Sequence, residues 1–372
     1  MRVLLAGGGT AGHINPAIAI AQTIKIKEKD AEILFVGNEG GLEQRLVPGA
    51  GFEIKSVSIR GFKRSLSPKA VLENISTAFK AVSASNKAKK YLREFRPDIC
   101  VGTGGYVSGP VIKAAQQMGI PTVIHEQNAY PGVTTKMLSK KAKAVMLAMA
   151  DAKGRMDASC NFELTGNPLR PEILSVNKEQ ARKALGVDER PLIISFGGSM
   201  GARKINENIA PLIARSAKDK KYQHIHAYGK YGTWFPDLLR EQGADPESAE
   251  NLDIREYIDN MNICLAAADL AICRCGAITL SEIEAMGKPS VLIPSPNVAE
   301  NHQYHNAMAL VKEKAASVIE EKDLTSEKLT AEVDKLLSDE KLLREYAENA
   351  RKMAITDANE RIYKVIKKVL SE

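Results

Sequence analysis

Residues 3–13 read VLLAGGGTAGH and residues 192–203 read LIISFGGSMGAR. Each is a short apolar run that passes directly into a glycine-rich turn and then into helix-forming sequence. Bare backbone N–H groups at such a turn, with the dipole of the helix behind them, favour an anion. A third turn of this kind, Gly102-Thr103-Gly104-Gly105-Tyr106-Val107-Ser108-Gly109, follows a later strand of the first half. A single glycine turn also serves tight bends and close packing. Three at equivalent positions point instead to repeated phosphate-handling units.

Working outward, strand-like runs fall at 3–6, 33–37, 52–59, 99–102, 122–125 and 144–147, with helical spacing at 16–27 and 68–93. The order restarts after Asn167-Pro168-Leu169, with strands at 192–196, 224–228, 252–255, 270–273, 290–293 and 316–319. Strands alternating with helices imply parallel sheets covered by helices on both faces. Twelve strands in 372 residues suit two doubly wound domains better than one sheet. In such sheets ligands bind outside the carboxyl ends of the strands, where all three glycine turns lie. The expected architecture is α/β, two Rossmann-like domains facing a cleft.

Composition sets the class. Apolar residues make up 44% and charged residues 26%, the balance of a soluble globular protein. No apolar run reaches the ~20 residues of a membrane span. The N-terminus lacks the h-region and cleavage site of a signal peptide, so none is expected. Five cysteines without CxxC pairs suit a reducing cytoplasm. The net charge of +7 is uneven: residues 1–164 hold 23 Lys and Arg against 13 Asp and Glu, a net +10, and the remainder holds 29 against 32, a net −3. The basic half suits an anionic partner: a membrane surface, a phosphorylated substrate or a nucleic acid. Aromatics are only 5% and do not interleave with the basic residues, which makes nucleic acid the weakest of the three.

Several residues stand out chemically. His13 lies at a helix N-terminus, where the dipole favours the neutral imidazole that a general base needs. His125-Glu126-Gln127-Asn128 ends a strand on the same rim, and burying four polar residues without a task is costly. Glu282 falls in the first turns of a helix, suited to accept two ribose hydroxyls or simply to complement the dipole. Gly7, Gly9 and Gly12 satisfy GxGxxG, so a nicotinamide dehydrogenase is a rival; its ribose acid would have to be Glu39, one residue late. No Asp-x-Asp pair occurs, so neither a metal site nor a cofactor is expected. Val71, Leu72, Ile75, Phe79 and Val82 form a helical stripe among Lys69, Lys80, Lys87, Lys89 and Lys90. Such a stripe is either core or a helix lying on an anionic membrane.

Seven segments in order, GGGTAGHINP (7–16), VGTGGYVSGP (101–110), HEQNA (125–129), GNPLR (166–170), GGSMGAR (197–203), YIDNM (257–261) and CRCGAITLSE (273–282), closely resemble the MurG family. These are the N-acetylglucosaminyltransferases that convert undecaprenyl-pyrophosphoryl-MurNAc-pentapeptide (lipid I) to lipid II in peptidoglycan synthesis. The resemblance extends to about Asn306. It implies a glycosyltransferase-B fold, with acceptor and membrane contact in residues 1–165, joined by a final helix at 355–372, and UDP-GlcNAc in residues 166–354. It implies a peripheral protein on the cytoplasmic face of the cell membrane, against the anionic inner leaflet. A UDP-GlcNAc 2-epimerase shares this architecture and is the alternative.

The same resemblance implies roles. Thr10, Ala11, Gly12, Asn128 and Arg170 would approach the donor, and Ser199 would bind its phosphates. Ile258 would hold uracil through its backbone. Ala277, Ile278, Thr279, Leu280, Ser281 and Glu282 would frame the nucleoside, with Glu282 on the ribose. Gln303 would meet the GlcNAc hydroxyls, with His302 beside it in an open role. Gly9, Gly104, Gly105 and Tyr106 would take the acceptor pyrophosphate. Met200 stands where the family often has Gln. His13 is the first choice for the catalytic base and Glu126 the second.

Overall fold

A computed structural model describes residues 1–59 and 68–372, with the backbone alone over 68–79. The chain divides into two units, residues 1–169 with 355–372, and residues 170–354. The expected border at 165 moves to 169 because Asn359 grips Leu169. Its Oδ1 accepts from the Leu169 N–H at 3.1 Å and its Nδ2 donates to the Leu169 carbonyl at 3.0 Å.

In the first unit, strands β1 (Arg2–Gly7), β2 (Glu32–Asn38), β3 (Glu53–Val57), β4 (Ile99–Gly104), β5 (Thr122–Glu126), β6 (Ala144–Leu147) and β7 (Phe162–Leu164) form one parallel sheet in the order β3-β2-β1-β4-β5-β6-β7. Alternation along β1 divides the core. Val3 and Leu5 face Ile14, Ala17, Ile20 and Ile24 of the helix Ala11–Lys27, and Ile362, Val365 and Ile366 of the final helix Ala358–Ser371. Leu4 and Ala6 face Val107, Val111 and Ile112 of the helix Gly105–Gln117, and Ala84, Ala88 and Leu92 of Pro68–Phe95. A strand buried on both faces has no polar side, which is why its sequence is apolar throughout.

The second unit repeats the design. Strands β8 (Leu192–Phe196), β9 (Gln223–Ala227), β10 (Leu252–Arg255), β11 (Leu270–Cys273), β12 (Ser290–Leu292) and β13 (Ser317–Val318) are parallel, in the order β10-β9-β8-β11-β12-β13. Strand order reverses beside β1 in one sheet and beside β8 in the other. Each glycine turn of residues 7–13, 102–109 and 197–203 leaves a strand at that reversal, where doubly wound sheets open a ligand crevice.

Three local expectations change. A thirteenth strand, β7, is three residues long at a sheet edge, with Leu164 45% exposed, too short to show a pattern. The first helix begins at Ala11 rather than residue 16, because the Thr10 carbonyl already accepts from the His13 and Ile14 N–H groups. Pro16 inside it forfeits only the bond to the Gly12 carbonyl. Strand β3 stops at Val57, and the Asn38 side chain takes the Ile59 N–H instead. Of the apolar stripe, Val71, Leu72, Ile75 and Phe79 lie outside the described side chains, and Val82 is 62% exposed.

Candidate functional site

At the first reversal, the turns after β1 and β4 interlock. A Cβ on Gly105 would lie 2.0 Å from the Gly8 carbonyl oxygen, and one on Gly7 would lie 2.0 Å from Thr103 Oγ1. Gly105 also has φ +76, a left-handed conformation that favours glycine. The pairing of β1 with β4 slips between Ala6 and Gly7, and Thr103 Oγ1 uses the slip to donate to the His13 carbonyl at 2.8 Å. The imidazole of His13 is thereby laid on Gly104 and Gly105: Cβ atoms there would meet its ring at 2.8 and 3.3 Å.

His13 Nδ1 lies 3.1 Å from both the Thr103 carbonyl and Gln127 Oε1. Among the described residues none bonds its Nε2. Thr10, Ala11 and Gly12 beside it are exposed, and Thr10 makes no side-chain cap, so the first amides of the helix stay open to an anion.

Glu126 has a different setting. It is 2% exposed, its Oε1 accepts from the Asn128 N–H and Nδ2 at 3.1 Å, and its Oε2 accepts from the Gly132 N–H at 3.1 Å. Its oxygens hold the loop from Asn128 to Gly132.

Glu43 was not foreseen from the sequence. It is fully buried beneath the first glycine turn, its Oε1 accepting from the Asn38 N–H at 2.7 Å and its Oε2 from the Gly9 N–H at 3.3 Å. A fixed carboxylate therefore holds the amide that was expected to meet acceptor pyrophosphate. The Tyr106 ring packs on Gly9; burial, with Glu43 nearby, pushes its hydroxyl pKa up. This arrangement also weighs against the dehydrogenase. A dinucleotide pyrophosphate would meet the Glu43 carboxylate, and β2 ends in Asn38 with no acid in place.

The second unit carries a pocket of about 470 Å³ at its reversal, within the usual range for small-molecule sites. Gly197, Gly198 and Gly201 form one wall, and Gly276, Thr279 and Gln303 another. Gly201 needs its φ of +83, because a Cβ there would lie 2.2 Å from the Tyr228 carbonyl oxygen. Arg203 and Lys204 open the helix Arg203–Asp219 at the rim and bring positive charge. Arg274, also on the wall, donates to the Ile293 and Pro294 carbonyls at 3.2 Å and pairs with Glu321. Ser199 and Met200 are exposed at the tip of the turn, and Ile258 is buried just after β10.

Two further residues are fixed before any ligand arrives. Gln303 Oε1 accepts from the Ser295 N–H at 2.9 Å and the Cys275 N–H at 3.2 Å, tying the turn after β11 to the segment after β12. Only its amide N–H groups remain to meet a sugar hydroxyl. Just before it, Glu300 and Asn301 both adopt left-handed φ, 52° and 49°, an uncommon strain of the kind that collects at ligand clamps. His302 Nδ1 donates to the Ala299 carbonyl at 2.8 Å.

Glu282 sits in the second turn of the helix Ala277–Met286, 7% exposed. Its Oε1 accepts from Arg170 Nη2 at 3.0 Å, so two residues expected near the donor are brought together. Burial pushes the Glu282 carboxyl pKa up, and the Arg170 guanidinium pulls against that shift. Among the described residues no group of three or more His, Cys, Asp or Glu could hold a metal ion, and no helix is long and apolar enough to cross a membrane.

Comparison with known proteins agrees with this geometry. The Glycosyltransferase family 28 N-terminal domain matches residues 3–147 and the corresponding C-terminal domain matches residues 192–362. The UDP-N-acetylglucosamine–N-acetylmuramyl-(pentapeptide) pyrophosphoryl-undecaprenol N-acetylglucosamine transferase of Acetivibrio thermocellus is 46% identical over 371 residues, covering 100% of this chain and 98% of its own. The crystal structure of Acinetobacter baumannii MurG superposes with a TM-score of 0.79 at 28% identity, over 99% of both chains. A putative UDP-N-acetylglucosamine 2-epimerase from Listeria monocytogenes reaches a TM-score of 0.69 at 14% identity, over 100% of this chain and 96% of its own, which shows a common fold alone. With both domains matched in order and full-length relatives this similar, the chain belongs to the MurG family of glycosyltransferases, with two α/β units of the glycosyltransferase-B type.

Proposed function

We propose that the chain transfers GlcNAc from UDP-GlcNAc to the 4-hydroxyl of MurNAc in undecaprenyl-pyrophosphoryl-MurNAc-pentapeptide, with inversion at the anomeric carbon, for peptidoglycan synthesis. The observation that carries this reading is the pocket of the second unit, whose glycine turn and helix N-terminus suit a diphosphate; Thr279 lines it, and Glu282, paired with Arg170, follows three residues later on the same helix. Ionised Glu282 accepts both ribose hydroxyls, the Ile258 backbone meets the uracil, and the Gln303 amide donates to the sugar. Ser199 and the open amides of the turn meet the phosphates.

The first unit supplies the acceptor site and the base. The acceptor O4 forms a bond to the anomeric carbon as the bond from that carbon to UDP breaks. The hydroxyl proton passes to His13 Nε2, and N–H donors stabilise the charge growing on UDP. His13 takes this role over Glu126 because the Glu126 oxygens are already bonded to three N–H groups. On the family resemblance Thr10 to Gly12 and Asn128 would contact the donor, and the Gly104–Gly105 turn with Tyr106 the acceptor pyrophosphate.

The decisive experiment is product analysis with UDP-GlcNAc, with and without a lipid I analogue. UDP and a lipid-linked disaccharide should form only with the acceptor; UDP-ManNAc formed without it would identify an epimerase. The +10 charge of residues 1–164 supports a peripheral location on the cytoplasmic face of the membrane, since each Lys or Arg near an anionic surface is worth about 1 kcal/mol. Binding to anionic vesicles should weaken as salt is added. Equal binding to neutral vesicles would refute that location.

A further inference from the structure

Two polar side chains behind the proposed base, Gln127 and His125, form a chain whose direction the geometry dictates. Gln127 Nε2 lies 3.0 Å from the Thr103 carbonyl and 3.0 Å from the His125 carbonyl. Both oxygens only accept, so that end of the amide is the NH2 group and Oε1 is the end turned to His13. His13 Nδ1 then lies 3.1 Å from two pure acceptors, Gln127 Oε1 and the Thr103 carbonyl, and must carry a proton. On the far side, His125 Nε2 lies 2.9 Å from the Gly166 carbonyl and so donates, which leaves His125 Nδ1 to accept from Gln127 Nε2 at 3.0 Å. The two Gln127 amide protons are shared among three acceptors and the His13 Nδ1 proton between two, and every assignment that satisfies these contacts keeps a proton on His13 Nδ1.

We propose that His125 and Gln127 are positioning residues that fix the proton of His13 on Nδ1, leaving the lone pair of Nε2 free as a base. A neutral histidine side chain in water prefers the opposite tautomer, with its proton on Nε2, which would place a donor where the reaction needs an acceptor. Gln127 is 2% exposed and His125 is fully buried, so water does not compete for these bonds. Burial also pushes the His125 pKa down, which keeps that ring neutral and its Nδ1 able to accept. The logic parallels the buried aspartate of serine hydrolases, which fixes the tautomer of the catalytic histidine. Here a neutral amide does the orienting, so no second charge enters the site.

The proposal rests on His13 being the base, and its test separates the two ideas. The chain has six histidines, so selective 15N labelling gives few signals, and the His13→Gln variant assigns the one sought. In the wild-type protein the proton should reside on His13 Nδ1; finding it on Nε2 overturns the relay without any variant having to fold. In Gln127→Leu the Thr103 carbonyl remains as the acceptor at Nδ1, so the fraction of His13 protonated on Nδ1 should fall without vanishing, and kcat should fall with it, up to about 10-fold. The KM for UDP-GlcNAc should stay within about twofold. A folded Gln127→Leu protein whose Nδ1-protonated fraction equals that of the wild type also overturns the relay. A moved proton with unchanged kcat upholds the relay and removes His13 as the base.

Discussion

Replacing Glu282 by glutamine keeps the shape of the side chain and removes its charge, so consequences for folding and for donor binding separate. In the folded chain the carboxylate is 7% exposed, and Arg170, its ion-pair partner, has a side chain 55% exposed. Burial raises the Glu282 pKa, with Arg170 opposing. For a carboxyl raised in the folded state, the folded protein disfavours the ionised form; that cost is present above the folded pKa and is relieved as pH falls through it. At neutral pH, removing the charge should therefore leave Tm unchanged or raise it. The Arg170 pair, screened by water on the arginine side, is worth about 1 kcal/mol or less and limits any gain.

Donor binding moves the other way. A carboxylate accepts both ribose hydroxyls through charge-assisted bonds, whereas an amide offers one neutral acceptor. The difference is about 1.5–3 kcal/mol, so KM for UDP-GlcNAc should rise about 10–150-fold. Donor titration of UDP release, with calorimetry in the same buffer, measures both. A fall in Tm of more than about 4 °C with an unchanged KM would refute the reasoning and leave Glu282 a structural carboxylate.

Other predictions follow from separate features. Gly105→Ala places a Cβ against the Gly8 carbonyl at φ +76, and should cost at least about 2 kcal/mol, seen as a lower urea midpoint; an unchanged midpoint would show that the two turns move apart freely. His224 and His226 are buried beside Ser195, both 2.7 Å from its Oγ, with His224 Nδ1 and His226 Nε2 lacking partners among the described residues. Burial pushes His226 down to about 3 and His224 well below its ordinary value. Folded pKa values below the unfolded ones contribute stability that is present above about pH 6.5 and lost as pH falls toward 3, so Tm should drop across that window and less steeply in His224→Leu. A slope unchanged in that variant would assign the acid sensitivity elsewhere. Turnover should persist in excess EDTA, as the pocket offers N–H groups and Arg203 and Lys204 to the diphosphate; loss that Mg²⁺ restores would reveal a metal requirement.

Much of the fold was legible because the sheets are buried on both faces. Apolar runs such as 3–6 and 192–196 announce their strands, and the glycine turns mark the strand ends where the sheets reverse. What escaped was short or non-local. Phe162–Leu164 makes a strand through edge pairing alone. Glu43 reads as an ordinary acidic residue near a short helix, yet it reaches back to the Gly9 amide, 34 positions away. The segment from His125 to Asn128 was recognisable as too polar for a strand end without a purpose. Its partition into a loop anchor at Glu126 and a tautomer-setting pair at His125 and Gln127 depends on Thr103 and Gly166, which no local pattern connects to it.

The return of the final helix to the first unit has a consequence for the order of synthesis. Ile362, Val365, Ile366 and Val369 complete the face formed by Val3, Leu5 and Ile14, so the domain that leaves the ribosome first is the last to be finished. The roughly 200 residues from Arg170 to Glu372 must be translated meanwhile, about 10–40 s at bacterial elongation speeds. Throughout that interval the nascent first half exposes a seam of apolar side chains on a strongly basic body, while the continuous second half needs no later segment to close its own core. A premature stop that removes only the last dozen residues thus strands the older half of the polypeptide, and chaperone capture of such a fragment should map to the helix Ala11–Lys27 rather than to the end that was lost.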